Sequence, residues 1–417
     1  MTSGFSENEV HKHMYDTGLE KLILDCPVID DSNWQDINHG EEFYLWELLK
    51  QKALSKIARS HNAIRYGDFI ASKLKLPTDN TTSMELDLIG THEDGLFILE
   101  LKVNKSAERN AFSELFAYSN YIAGVFAASG RHDIKKVLVA NLDVKITRQA
   151  FLYDLLIADR DIIVYKPKFT NDTLESLQLE LYLPSDDDFK TFTNDLLSHN
   201  SMSCVVASFD DLDGWYDSKE DNGSLNHWTQ DHLSKLSTYT AQLMEAEGLH
   251  GFCFIRKPWA GIPRHYRNSL FICAINPFRF KNAERAEEIT KQLPTENQSA
   301  FFEFPELGFD GRLIRIAQRA VRECLTHNHR CEVETPFWAA VVNSMEEVVN
   351  THNFAFRPTG ILREAYVSHL NNIYAQNEQE TDYVDDVSML KVNEITNWIR
   401  AWMFMEGCGL KAGKVES

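Results

Sequence analysis

Two kinds of hydrophobic spacing alternate along the first 185 residues. From Glu41 to Ala58 apolar residues return at helical intervals, with Phe43, Trp46, Leu49 and Leu54 on one side. Residues 72–76 alternate as a short edge strand, and Pro77 then opens a loop. Residues 84–90 (MELDLIG) and 96–103 (LFILELKV) read as two strands, joined through an Asp-Gly hairpin signal at 94–95. Helical spacing returns from Ser106 to Val125. A strand over 135–141, a helix over 146–158, a strand over 161–167 and an alternating run over 177–184 complete the series. Helices interleaved with strands in this order predict an α/β unit on a mixed sheet. The acidic run 185–190 (SDDDFK) marks the expected boundary.

Beyond it the pattern predicts an α+β domain over residues 190–417. Strands are expected at 204–211, 250–256 and 269–276. Helices are expected at 228–248, 310–326, 335–351, 360–376 and 388–406. A regulatory, partner-binding or oligomerisation role is the expectation for this half.

The composition is that of an ordinary globular chain, 43% hydrophobic and 25% charged over 417 residues. The first residues lack the apolar core of a secretory signal. The longest uncharged stretch, Leu115 to Gly130, is too short and polar for a bilayer of about 30 Å. Seven scattered cysteines read as reduced thiols. A cytoplasmic protein with no membrane partner is therefore expected. Net charge is −20. Residues 1–185 carry 20 Lys+Arg against 28 Asp+Glu, so neither half is basic. That excludes a general nucleic-acid coat, whose affinity rests on many Lys/Arg–phosphate contacts.

One group of residues changes the picture. Side chains two apart on a strand share a face, so Glu100 and Lys102 project together from 96–103. Phe97, Leu99, Leu101 and Val103 face the other way. A charged pair in so apolar a strand is costly unless it is paired or binds a cation. Asp87, on the strand across the hairpin, is placed to meet Glu100. Two adjacent carboxylates repel unless a divalent cation joins them, and Mg²⁺ takes one or two carboxylates plus waters and phosphate oxygens. A bound metal activates water for phosphodiester hydrolysis, and a neighbouring lysine stabilises developing charge. The other reading is a solvated or ion-paired sheet face.

The succession MELDLIG, Asp-Gly hairpin, LFILELK resembles the PD-(D/E)xK superfamily of restriction-endonuclease-like nucleases, over roughly residues 40–170. Leu86 stands where the name has proline. The resemblance implies that Asp87 and Glu100 hold Mg²⁺ or Mn²⁺, with the Leu101 carbonyl as a further ligand and Lys102 as the catalytic lysine. Some branches add a metal-site glutamate from the first helix; Glu47 is the first candidate here and Glu42 the second. Other branches carry Gln-x-x-x-Tyr on the helix after the lysine. Glu114 and Tyr118 hold that spacing, with Glu in place of Gln, and core packing is the expected role of Tyr118. Glu85 shares a face with Asp87 as a support, an alternative ligand or a solvated side chain. The function implied is nucleic-acid cleavage, with DNA favoured as substrate, in the manner of a controlled endonuclease suited to bacterial or phage defence. The rival is a non-catalytic scaffold on the same fold.

Three other features were weighed. Arg312, Arg315, Arg319 and Arg322 form a stripe on one helix face, fit for phosphates or for acidic neighbours. Cys324, His327, His329 and Cys331 match no zinc framework and read as polar residues at a helix end. The segment with Trp259, Arg264, His265, Tyr266 and Arg267 reads as a surface loop. His11 and His13 read as part of a flexible terminus. A homo-oligomer or a regulatory partner is expected through the C-terminal half.

Overall fold

A computed structural model describes residues 4–24, 45–77, 84–126, 129, 132–171, 173–196, 199–209, 227–256, 268–279, 283–325, 331–346 and 353–377, with 398, 401, 402, 404 and 405. The chain forms two compact units. One comprises Met1–Asn33 with Leu49–Asp188, the other Trp34–Leu48 with Phe189–Ser417.

The first unit opens with helices α1 (Glu7–Thr17), α2 (Leu19–Leu22) and α3 (Leu45–Arg65, whose first residues belong to the second unit). Strands β1 (Asp68–Leu76), β2 (Met84–His92) and β3 (Gly95–Lys102) follow. Then come α4 (Lys105–Glu108), α5 (Ala111–Ala123), β4 (Ile134–Ala140), α6 (Lys145–Leu156), β5 (Ile162–Phe169) and β6 (Leu177–Leu181). The six strands lie in chain order in one mixed sheet. β1, β2 and β3 are antiparallel neighbours, β3, β4 and β5 run parallel, and β6 returns antiparallel.

This order follows from the sequence. β1 and β2, and β2 and β3, are joined by short segments. The parallel pairs need crossovers, which α5 and α6 supply. β4 is buried along its whole length and β3 along most of it, as strands covered on both faces must be. α3 lies along the sheet with Leu49, Ala53, Ile57 and Ile64 buried, and its His61 meets the Tyr165 hydroxyl on β5 at 3.0 Å. Its buried Lys56 is matched by Asp159 at 3.1 Å and Asp161 at 3.6 Å.

The structure departs from the expectations in places. The helix expected over 106–125 is broken at Arg109 and Asn110 into α4 and α5. Residues 41–44, Glu42 among them, lie outside the described residues. The acidic run at 185–190 is not a turn but the start of helix α7 (Asp186–Leu196). Ser185 and Asp188 there bond reciprocally through side chain and backbone.

The second unit continues with β7 (Met202–Phe209), α8 (His227–Ala246), β8 (Gly251–Arg256), β9 (Asn268–Ile275), α9 (Ala283–Thr290) and α10 (Thr295–Cys324). β10 (Cys331–Glu334), α11 (Trp338–Glu346), β11 (Asn353–Thr359) and α12 (Gly360–Asn377) complete it. Its five-stranded antiparallel sheet has the order β10-β7-β9-β8-β11. Val205, Cys253, Leu270 and Ile272 pack with Leu233 and Leu236 of α8 and Leu313 and Ala317 of α10. Phe252, Phe254 and Phe356 pack against Trp338 and Trp398. The sheet thus carries two apolar cores, one on each face. The helix expected over 310–326 begins fifteen residues earlier, at Thr295. Strands β10 and β11 and helix α9 were not expected. Most of 388–406 lies outside the described residues. Among the described residues no helix is long and apolar enough to cross a membrane.

Candidate functional site

The hairpin register places Leu88 opposite Leu99 and Ile89 opposite Ile98. One step further along that register Asp87 faces Glu100. There the ladder gives way to a side-chain bond, in which the Leu101 N–H donates to Asp87 Oδ2 at 2.9 Å. The site therefore stands at the carboxyl end of β3, where it leaves its parallel partner β4. In open α/β sheets that end is where ligands bind.

Glu100 is only 2% exposed. Its Oε1 accepts from Lys102 Nζ at 2.5 Å, while its buried Oε2 has no hydrogen-bond partner. Lys102 also donates to Glu114 Oε2 on α5, at 2.7 Å. Burial, and then the charge of Asp87, push the Glu100 carboxyl up to about 9. Burial also raises Asp87, against the opposing pull of the Leu101 N–H and Lys102. For Lys102 burial alone would favour the neutral amine. The bonds to Glu100 and Glu114 outweigh it, and its pKa stands above the ordinary lysine value. Glu114 is half-exposed; its bond to Lys102 outweighs burial and lowers its carboxyl. Tyr118, one turn along α5, is half-buried. Burial and then the charges of Glu100, Glu114 and Asp87 raise its hydroxyl. It faces the carboxylates and is not packed wholly into the core as expected.

Two residues that the sequence reading passed over complete the surroundings. Both lie on α1, where a flexible terminus was expected. Glu7 accepts from the Val103 N–H, and burial followed by Asp87 and Glu114 raises its carboxyl. His11 is 4% exposed, and its Nε2 stands 2.8 Å from the Asp87 carbonyl. Spaced i,i+4, Glu7 and His11 share one face of α1. The signal was present in the chain. Ser6 and Glu9 form a capping box, and Val10 and Met14 are buried at helical spacing behind it. A further buried carboxylate, Glu108, accepts from the Asp143 and Val144 N–H groups and fixes the turn after β4.

Glu47 lies in the first turn of α3, in the stretch that clusters with the second unit. The helix-borne carboxylate observed beside Asp87 and Glu100 is Glu7. Glu85 is exposed, 4.0 Å from Lys73, and stands as a surface charge. Arg312, Arg315, Arg319 and Arg322 lie on α10, away from its buried Leu313, Ile316, Ala317 and Ala320. Arg319 pairs with Glu323 at 3.0 Å, Arg322 approaches the same carboxylate at 3.9 Å, and Arg312 lies over the Phe309 ring. Cys324 ends α10 and Cys331 opens β10, and burial raises both thiols. His327, His329, Trp259, Arg264, His265, Tyr266 and Arg267 lie outside the described residues.

Among the described residues no three or more His, Cys, Asp or Glu side chains are arranged as a metal cage. The donors present suit a less demanding ion. Two carboxylates raise one another's pKa, and one buried carboxylate oxygen is without a bond. That is a deficit of positive charge which a hard divalent cation would fill, and Mg²⁺ needs no more than one or two protein carboxylates. Comparison with models of known protein families, with curated proteins and with solved structures found no match to this chain.

Proposed function

We propose that the first unit is a metal-dependent phosphodiesterase acting on nucleic acid, a nuclease of the PD-(D/E)xK kind on a restriction-endonuclease-like sheet. The observation that carries this reading is the joint placement of Asp87, Glu100 and Lys102 at the carboxyl end of β3, with the Glu100 Oε2 unbonded. Asp87, Glu100 and the Leu101 carbonyl would hold Mg²⁺ or Mn²⁺, and Glu7 lies beside them. When bound, such an ion activates water and neutralises developing charge.

The chain's own groups do the rest. The Leu101 N–H fixes the Asp87 carboxylate, and His11 holds the Asp87 backbone from behind. Lys102, kept protonated by Glu100 and Glu114, presents a full positive charge beside the unbonded oxygen of Glu100. There it stabilises the anionic oxygen that a phosphoryl group develops under attack. Tyr118 supplies a neutral hydroxyl on the same side. DNA is the favoured substrate by resemblance alone. The acidic charge of the chain implies a local path for the strand, not a general affinity.

A second reading has an observation of its own. Lys102 is engaged by two carboxylates, which is also how a closed structural ion pair looks. That reading makes the unit a non-catalytic scaffold. Incubating the protein with plasmid, single-stranded DNA and RNA, with Mg²⁺, Mn²⁺ or chelator, separates the two. Cleavage should need the metal and vanish in Asp87→Ala and Lys102→Ala. Cleavage surviving both substitutions rejects the assignment, and no cleavage under any condition favours the scaffold.

A further inference from the structure

Helix α10 is thirty residues long, but only its second half is built into the second unit. Phe309, Leu313, Ile316, Ala317 and Ala320 are buried along one side. The opposite side of the first half is apolar and uncovered. Phe301, Phe304 and Leu307 are 49%, 68% and 64% exposed and return at intervals of three. Between and beyond them sit notches. A Cβ added at Gly308 would meet nothing within 4 Å, and one at Gly311 would meet only the Arg315 guanidinium at 3.6 Å. Pro305, Gly308 and Gly311 are poor helix residues, and nothing buried holds this half of the helix on its outward side. On the same outward face the second half of the helix carries Arg315, Arg319 and Arg322.

We infer that this face binds a second copy of the chain, with the two α10 helices crossing antiparallel about a twofold axis at Phe304. Three observations favour a second copy as the occupant. The first is shape. Under that axis Phe304 meets its own counterpart, and Phe301 lies beside Leu307 and over the notch at Gly308. An isologous contact must be self-complementary in this way. The second is charge. The same register sets Glu296 of one copy against Arg312 of the other. It carries Arg315 and Arg319 past the start of the partner helix, towards the exposed Glu287 and Glu288 of α9. The α9–α10 turn is tied by the Gln298 amide to the carbonyls of Thr290 and Leu293, so these charges are held near the helix start. The third is area. Three large side chains half or more uncovered expose on the order of 300 Å² of apolar surface, taking about 200 Å² for each. That matches the largest apolar patches on monomers, and with the charged flanks it approaches the roughly 800 Å² per partner of a standard interface. The inference is independent of the nuclease reading.

Sedimentation of the full chain tests it. A dimer is expected, and Phe304→Glu, which sets two carboxylates face to face on the axis, should raise its dissociation constant more than about tenfold. Phe304 is exposed, so circular dichroism should stay unchanged. Arg312→Glu should weaken the dimer, and adding Glu296→Arg should restore it. Phe304→Cys should form an intermolecular disulfide with its counterpart under a mild thiol oxidant. A chain that stays monomeric overturns the inference, as does a dimer untouched by Phe304→Glu. Should Phe304→Glu misfold, an absence of cross-linking in Phe304→Cys overturns it instead.

Discussion

His11 Nε2 lies 2.8 Å from the backbone carbonyl of Asp87, across 76 positions of chain. Because a carbonyl only accepts, the ring presents its Nε2–H to the strand. The bond ties α1 to the point of β2 where the antiparallel ladder ends, and it brings Glu7 to the same place. His11→Ala would leave a buried carbonyl unpaired and open a cavity. The expected loss of stability is about 1–3 kcal/mol, read by urea unfolding. Activity should fall with it, since the Asp87 backbone is then held from one side only. A variant of wild-type stability would show that α1 does not support the site.

Burial and Asp87 hold the Glu100 carboxyl at about 9, far above its ordinary 4.5. A carboxyl raised on folding binds its proton more tightly in the folded chain than in the unfolded one. Its contribution to stability is complete below about 4.5 and is lost as pH rises through about 9. Without metal the wild-type chain should therefore weaken from mildly acid to alkaline pH. Glu100→Gln removes this titration. It should match wild type near its acid limit and exceed it by at least about 1 kcal/mol at alkaline pH. Urea unfolding in chelator across that range checks this, and parallel profiles for the two proteins would sink it.

Lys102 is shared between Glu100 and Glu114, and only Glu114 reaches solvent. A half-exposed ion pair contributes little, so Glu114→Gln should change stability by no more than about 1 kcal/mol. It frees Lys102 from one of its two carboxylates and leaves the amide as a neutral partner. Metal-dependent cleavage should rise. A fall to the level of Lys102→Ala would place the Glu114 charge within the working machinery.

What the sequence disclosed depended on period. The β2–β3 hairpin was legible because strand spacing alternates and Asp-Gly turns tightly. It put Asp87, Glu100 and Lys102 together correctly. Residues 7–17 were not legible as a supporting helix, although Ser6 and Glu9 announce it. A polar helix that buries only Val10, His11 and Met14 has a weak apolar pattern, and its partner lies far along the chain. Glu47 drew attention because its helix is strongly patterned, yet pattern locates helices and not what they face. The first half of α10 was missed for a physical reason as well. Pro305, Gly308 and Gly311 oppose helix locally, and only the continuity of the buried second half argues for it.

Asp87 does two things that one pair of substitutions separates. Its Oδ2 accepts the Leu101 N–H, and its charge raises Glu100. Asp87→Asn keeps an acceptor oxygen of the same shape and removes the charge. Glu100 then loses a like-charged neighbour, so the metal-free chain should be as stable as wild type or more so. Asp87→Ala removes the acceptor too, and the orphaned N–H should cost about 1–3 kcal/mol. In a purely structural ion-paired face, neither variant alters any response to Mn²⁺. In a cation site, wild type gains stability on adding Mn²⁺, as anything that binds the folded state must give, and both variants lose that gain. Thermal unfolding with Mn²⁺ and with chelator distinguishes these outcomes without relying on cleavage. A Mn²⁺ response retained in Asp87→Asn would remove Asp87 from the proposed cation site.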